Sequence, residues 1–353
     1  MAPVGATLRS IAHSGLDEHD RLEFGMSSPI FTSWQPEHAA LWGNVPLRLK
    51  HRLHQHELFS RPALARLIEA APKSNYMLIE TGRPNERKLW REGEIGQLDG
   101  AGVIEAIDNG RIWLNLLRVN EIDPRYGELL DEIFAELEGR VPGLKTFKRI
   151  NGILISSPRA QVYYHFDTAG QTLWQIAGSK RVYLYPPAPP FLTPESLENV
   201  ILYNNETGIR YEPWYDEYAT PLELKAGDMA QWPLNMPHRI ENGDELSVSM
   251  TIEYFTTDIR RRMFVNGANG ILREKLKLNP ARNVSGPAFW AKTAMYAAAA
   301  KGGLLTRERN KRRPITFQLD RDFLARPSPA TSGQPEMEAV PQAGPAAHVV
   351  GDD

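Results

Sequence analysis

Cysteine is absent from all 353 residues. Disulfides, thiolate metal sites and a cysteine nucleophile are therefore excluded, and the absence agrees with a reducing compartment. An excess of either charge is absent too. Against 41 basic residues stand 43 acidic ones, a net charge of −2, so the whole molecule exerts no long-range pull on nucleic acid or acidic membrane. Long apolar runs are also missing. The first twenty residues hold no apolar core suited to a signal peptide. The most apolar run, Pro287 to Leu305, is interrupted by Lys292, Lys301 and two glycines, which argues against a membrane span. These absences predict a cytoplasmic protein with no membrane span and no strong nucleic-acid signal. Histidine is scarce as well, at nine residues, so few positions can supply an imidazole ligand.

What is present is an ordinary globular composition, 42% hydrophobic and 24% charged, which at this length suffices for a large core. Residues 1–20 are polar and patternless and predict a flexible arm. Over 21–110, strand patterns at Val45 to Lys50 and Tyr76 to Ile79 alternate with helical ones, as from Ser60 to Ala71. A strand follows at Arg111 to Leu116, then a helix over Pro124 to Glu138 with Leu129, Leu130, Ile133, Phe134 and Leu137 on one face. Short strands dominate up to Phe255, among them Gln161 to His165, Leu173 to Ile176, Val182 to Tyr185, Met229 to Trp232 and Ser247 to Phe255. Such spacing predicts an antiparallel double-sheet barrel over 111–258. Two helices fill 259–326, and 327–353 is a Pro- and Ala-rich tail expected to be disordered.

The chemistry is concentrated in two stretches. His165 and Asp167 are two apart in extended chain, so their side chains leave the backbone on one side. His238 follows the late strand at Met229 to Trp232 and lies 71 residues beyond Asp167. Two imidazoles and one carboxylate make the facial triad that leaves half of an octahedral iron(II) shell open. In Lys180-Arg181-Val182-Tyr183-Leu184 the lysine shares its strand face with Val182 and Leu184, so its ammonium either points into the barrel towards an anionic partner or snorkels from the strand end to water, and the position alone does not choose. On the last strand Ser249, Thr251 and Glu253 oppose Val248, Met250, Ile252 and Tyr254. That polar face either lines a ligand site, with Thr251 best placed, or faces solvent, and the alternation does not choose.

The stretch His165-Phe166-Asp167, then Gln175 to Arg181, then Leu184-Tyr185-Pro186-Pro187, resembles the metal and co-substrate segment of the JmjC or cupin-like oxygenases dependent on iron(II) and 2-oxoglutarate. Its spacing is close to that of the asparaginyl hydroxylase that acts on hypoxia-inducible factor. Gly227-Asp228 through Pro237-His238-Arg239 is similar to the family's distal-histidine segment. The resemblance covers residues 110–257 and implies a mainly β fold with α elaborations, a double-stranded β-helix or jelly-roll carrying C-terminal helices. It implies that His165, Asp167 and His238 bind Fe(II) and that Lys180 binds the far carboxylate of 2-oxoglutarate, with O2 as second co-substrate. Asn115 and Thr251 match pocket-lining positions. Two positions depart from the pattern: Val162 stands where a hydroxyl residue helps hold 2-oxoglutarate, and Trp113 where the family has a pocket tyrosine.

The expected activity is hydroxylation of a peptide side chain or a small amino-acid-like substrate, with release of succinate and CO2; demethylation uses the same chemistry. A metal cupin that does not use 2-oxoglutarate, whether isomerase or dioxygenase, and a non-catalytic JmjC-like binding protein are the rival classes. The expected partners are a peptide, protein or small-molecule substrate and a second copy of the chain, joined through apolar helical faces that include Met263, Phe264, Phe289 and Trp290.

Overall fold

The computed structural model describes residues 28–81, 90–203, 209–303, 305 and 314–321. The expected arm over 1–20, the tail over 327–353 and the basic run Arg307 to Arg313 lie outside them. In chain order the strands are β1 (Leu47–Lys50), β2 (Tyr76–Thr81), β3 (Trp90–Ile95), β4 (Ile112–Leu116), β5 (Phe147–Ser156), β6 (Gln161–His165) and β7 (Gly170–Ala177). They continue with β8 (Ser179–Leu184), β9 (Thr220–Lys225), β10 (Asp228–Gln231), β11 (His238–Asn242), β12 (Ser247–Phe255) and β13 (Ile315–Leu319). One sheet of nine strands runs β1-β10-β7-β12-β5-β4-β2-β3-β13, and a second of four runs β6-β11-β8-β9.

The main helices are α1 (Arg61–Ala70), α2 (Gly100–Asn109), α3 (Pro124–Arg140), α4 (Pro194–Tyr203), α5 (Thr257–Leu276) and α6 (Gly286–Lys301). Local chemistry sets their starts. Ser60, Asp99, Asp123 and Thr256 each accept a backbone N–H of the following first turn with a side-chain oxygen, satisfying donors that the helix itself leaves free. On α3 the predicted stripe Leu129, Leu130, Ile133, Phe134 and Leu137 is buried, joined by Tyr126.

Strand alternation builds the layers. Ile112, Leu114, Ile153, Ile155, Trp174, Met250 and Ile252 leave one face of the large sheet and join the α1, α2 and α3 stripes in a single apolar cluster. At about 1.5–3 kcal/mol for each large apolar side chain fully buried, this layer is the main source of stability. From the opposite face, Leu173 and Ala230 meet Val182, Leu184, Leu224 and Ile240 of the small sheet. The two sheets therefore close on each other as the expected double-stranded β-helix. Gly178 permits the tight link between β7 and β8: at φ +68 a Cβ there would lie 2.4 Å from the Leu246 carbonyl oxygen.

Three features differ from the sequence expectation. Helix α4 lies between β8 and β9, within the stretch up to Phe255 expected to be short strands. β13 pairs with β3, and does so in parallel, so the sheet is not wholly antiparallel and the segment after Asp258 is not wholly helical. The C-terminal apolar faces are largely covered by their own chain. Phe289 and Tyr296 are buried, Met263 packs on an aromatic cluster around Tyr164, and Phe264, Ile271 and Met295 pack around Ala268. Glu198 of α4, buried, receives Arg273 at 2.7 Å and Arg282 at 3.0 Å and so fastens the C-terminal helices to the barrel side.

Candidate metal centre

β11 lies between β6 and β8, and its first residue, His238, stands in register with both His165 and Leu184. A shift in the β6–β11 ladder lets three residues of β6 span two of β11, so that Val162 faces Ile240 and His165 faces His238. Val162 and His165 are thus both turned inward although they are three apart. The two imidazole rings lie 4.1 Å apart between centroids. His238 Nε2 stands 3.6 Å from Asp167 Oδ2, and one ligand atom from each of the three residues lies within 4.8 Å of the others. The sequence-predicted triad is therefore assembled, from strands that meet only in the folded chain.

Each member is held from behind. His165 Nδ1 donates to the Tyr163 carbonyl at 2.7 Å and His238 Nδ1 to the Met236 carbonyl at 3.0 Å. A proton on Nδ1 leaves the Nε2 lone pair free, the form in which imidazole coordinates a metal. Burial, against Trp232 among others, pushes the His238 pKa down to about 4, so the ring is neutral at physiological pH. Asn235, itself in the left-handed region at φ 61, donates to the Asp167 backbone carbonyl at 2.8 Å. In the orientation that satisfies both groups, the Gln171 amide donates to Asp167 Oδ1 and Oδ2 at 2.9 and 3.0 Å. Gln171 was not singled out in the sequence; its only signal is a polar side chain on the inward face of β7, alternating with Thr172 and Trp174 on the outer one.

Lys180 takes the inward place of the two that its strand pattern allows and is 4% exposed. Among the described residues no carboxylate pairs with its ammonium, and burial alone pushes its pKa down to about 7. Its register partner on β11 is Asn242, four residues from His238, or about 13 Å at roughly 3.3 Å per residue. An extended lysine side chain and a five-carbon dicarboxylate together span that distance. Between these ends lie the apolar side chains of Val162, Leu173, Val182 and Ile240.

Thr251 and Asn115 also face inward, which decides the question the alternation left open. The polar face of β12 lines the interior. Ser247 and Ser249 are fully buried, and Gln175 donates to Ser247 Oγ at 3.1 Å and accepts from Ser249 Oγ at 2.8 Å. Nearer the triad, Asn115, Leu117, Arg118, Gly152, Thr251 and Glu253 line a small cleft. A Cβ at Gly152 would lie 3.0 Å from the Leu116 carbonyl oxygen, 3.2 Å from Thr251 Oγ1 and 3.4 Å from Asn115 Oδ1. Glu253 stands opposite Gln171 in register, so the cleft opens beside Asp167.

No family model matches the chain, and no curated protein matches it. Among solved structures it is similar to the Escherichia coli ribosomal oxygenase YcfD. Against that protein in complex with cobalt and 2-oxoglutarate the identity is 17% and the TM-score 0.45, over 76% of this chain and 67% of that one. Against the complex with cobalt and succinic acid the values are 15% and 0.45, over 81% and 73%. Similarity this distant assigns no role to any residue here, and the chemistry rests on the site itself.

The donor set would fit a divalent iron ion: two imidazoles, one carboxylate and no thiolate. Among the described residues, no helix is long and apolar enough to cross a membrane.

Proposed function

We propose that this chain is an Fe(II)- and 2-oxoglutarate-dependent oxygenase, a hydroxylase of a peptide side chain or small amino-acid-like substrate that acts in the cytoplasm and releases succinate and CO2. One observation carries the reading: a His-Asp-His triad at one end of the barrel interior and, across its apolar core, a buried ammonium with no carboxylate partner among the described residues. A metal cupin of another type has no need of that ammonium, and a non-catalytic relative has no need of three oriented ligands. The spacing from His165 to Lys180 follows the asparaginyl hydroxylase type, while Val162 and Trp113 depart from it.

Bound iron supplies the oxygen chemistry, driven by oxidation of the co-substrate. The chain's own residues do the rest. His165, Asp167 and His238 hold the ion from one side, while Gln171 and the two carbonyls fix their orientation. Lys180 neutralises the far carboxylate, and Val162, Leu173, Val182 and Ile240 exclude water along the co-substrate. The cleft between Asn115, Gly152 and Thr251 faces the substrate. Residues 259–305 form a homodimer interface through the apolar side chains they leave exposed, Leu276, Leu278 and Trp290.

The experiment is anaerobic titration of the iron-loaded protein with 2-oxoglutarate, following the metal-to-ligand absorption band, and then succinate release over peptides and amino acids in air. Absence of the band overturns the assignment.

A further inference from the structure

The cleft beside the triad holds two buried polar atoms that the fold leaves unsatisfied. Asn115 leaves β4 on the interior face, while Leu114 and Leu116 on either side of it join the helical layer. Its Oδ1 is buried and, among the described residues, accepts no hydrogen bond. Three residues on, the Nε of Arg118 is buried in the same state. It stands 3.1 Å from Oε2 of the half-exposed Glu121, yet makes no hydrogen bond with it. Both residues line the cleft. One offers an acceptor and the other a cationic donor, and they do not satisfy each other. Buried polar groups without partners are rare in native proteins and call for an explanation. The backbone at Arg118 is unusual too: at φ 50 and ψ 50, where β4 gives way to the helical turn Val119–Ile122, it takes a left-handed conformation that few residues other than glycine adopt.

Register adds a charge of the opposite sign. Glu253 lines the same cleft, two residues along β12 from Thr251 and on the same face. Its register partners are Ile150 on β5 and Gln171 on β7. Because the Gln171 amide holds Asp167, Glu253 lies about one strand spacing, roughly 5 Å, from the support of a metal ligand. One small cleft therefore presents a guanidinium, a carboxylate, an orphan amide oxygen and the Thr251 hydroxyl. A peptide bond could meet the two orphan atoms with its C=O and N–H, but it brings no charge to either ionic group. A zwitterionic head group answers all of them, and charge-assisted hydrogen bonds are the stronger kind.

Resting on the oxygenase reading, we infer that the substrate is a free α-amino acid rather than a residue within a peptide. Its carboxylate takes the Arg118 guanidinium. Its ammonium donates to Asn115 Oδ1 and faces Glu253, and its side chain extends towards the triad. Arg118 and Glu253 are then specificity-determining residues, because a residue inside a chain carries neither head-group charge.

The iron-loaded protein with 2-oxoglutarate in air is offered each proteinogenic L-amino acid and, in parallel, the same residues as N-acetyl amides. Succinate and product mass are followed. At least one free amino acid gains an oxygen atom, and its capped form shows a kcat/KM lower by at least about tenfold, the range for one lost charge-assisted contact. Arg118→Gln raises KM for that amino acid about tenfold to a hundredfold with kcat nearly unchanged, as for a contact made equally in ground and transition states. Arg118→Lys restores part of the loss, and both variants bind iron and 2-oxoglutarate as wild type does. Capped residues or peptides turned over as well as free amino acids overturn the inference, and so does wild-type KM in Arg118→Gln. The capped comparison uses wild type alone and decides even if the variants do not fold. An absorption band with 2-oxoglutarate but no product from any free amino acid removes this inference and leaves the oxygenase reading standing. Failure of the oxygenase reading looks different: wild type then gives no band, and this inference falls with it.

Discussion

Replacing Lys180 by methionine should stabilise the ligand-free protein while disabling it. The folded pKa of about 7 lies well below the ordinary lysine value of about 10.5, so the folded chain binds this proton less readily than the unfolded chain does. The penalty is fully present below pH 7 and fades as pH rises towards the unfolded value. At about 1.4 kcal/mol per pH unit it comes to roughly 5 kcal/mol below pH 7, and roughly 2 kcal/mol remains at pH 9. Lys180→Met removes the penalty and keeps a side chain of similar length among Val182, Leu184 and Leu224. Denaturant titration of metal-free protein should therefore show the variant more stable than wild type at pH 7 by a few kcal/mol, with the gap narrowing at pH 9. The same variant should bind 2-oxoglutarate about tenfold to a hundredfold more weakly, the range for a charge-assisted contact of about 1.5–3 kcal/mol. In wild type, calorimetry in two buffers of different ionisation enthalpy at pH 8 should show close to one proton taken up on binding. A variant less stable than wild type at pH 7, or binding without proton uptake, would refute the claim that the ammonium is desolvated and waiting for an anion.

Loss of either ring of the triad, His165→Ala or His238→Ala, should abolish stoichiometric iron(II) binding in equilibrium dialysis, and Asp167→Ala should come close to the same result. Gln171→Leu keeps all three ligands and removes the two donors to Asp167, so metal affinity should fall about tenfold to a hundredfold, measured by chelator competition. Gly152→Val would push methyl groups between Thr251 and Asn115; substrate turnover should drop while 2-oxoglutarate binding persists, a split that the absorption band and product mass spectra separate. Glu198→Ala removes the buried partner of Arg273 and Arg282, which stay partly exposed, and a loss of about 1.5–3 kcal/mol, the range for hydrogen bonds to a charged group, should appear as early melting. Light scattering at micromolar concentration tests the homodimer, and a monomer mass removes it.

The triad and Lys180 were legible because each announces itself locally, through a two-residue period and through a charge on an apolar strand face. Helix α3 was legible for the same reason, its stripe repeating with the helical period. What escaped depended on distant chain. β3, Trp-Arg-Glu-Gly-Glu-Ile, carries too many charges to read as a strand, and it is one only because it joins β2 and β13 towards the sheet edge. Helix α4 did leave a mark, since Thr193 Oγ1 accepts the Ser196 N–H at 3.1 Å, but the proline run before it dominates the composition. Gln171 acquires meaning only when β7 sets it beside Asp167. The inward turn of Val162 needs a register shift that strict alternation does not foresee.

The place of β11 in the small sheet has a consequence for the order of folding. β6 and β8 are not neighbours; residues 238–242 fill the gap between them. Until that strand arrives, both flanking strands present open edges inside a half-built sheet, and such edges invite association with other chains. The pairing closes loops of more than fifty residues, which places it among the slower steps. Because the same strand delivers His238, the ion can be gripped only once the gap is closed. Metal in the growth medium should therefore act as a trap for the completed barrel, raising the yield of monodisperse protein by mass action on the last closure.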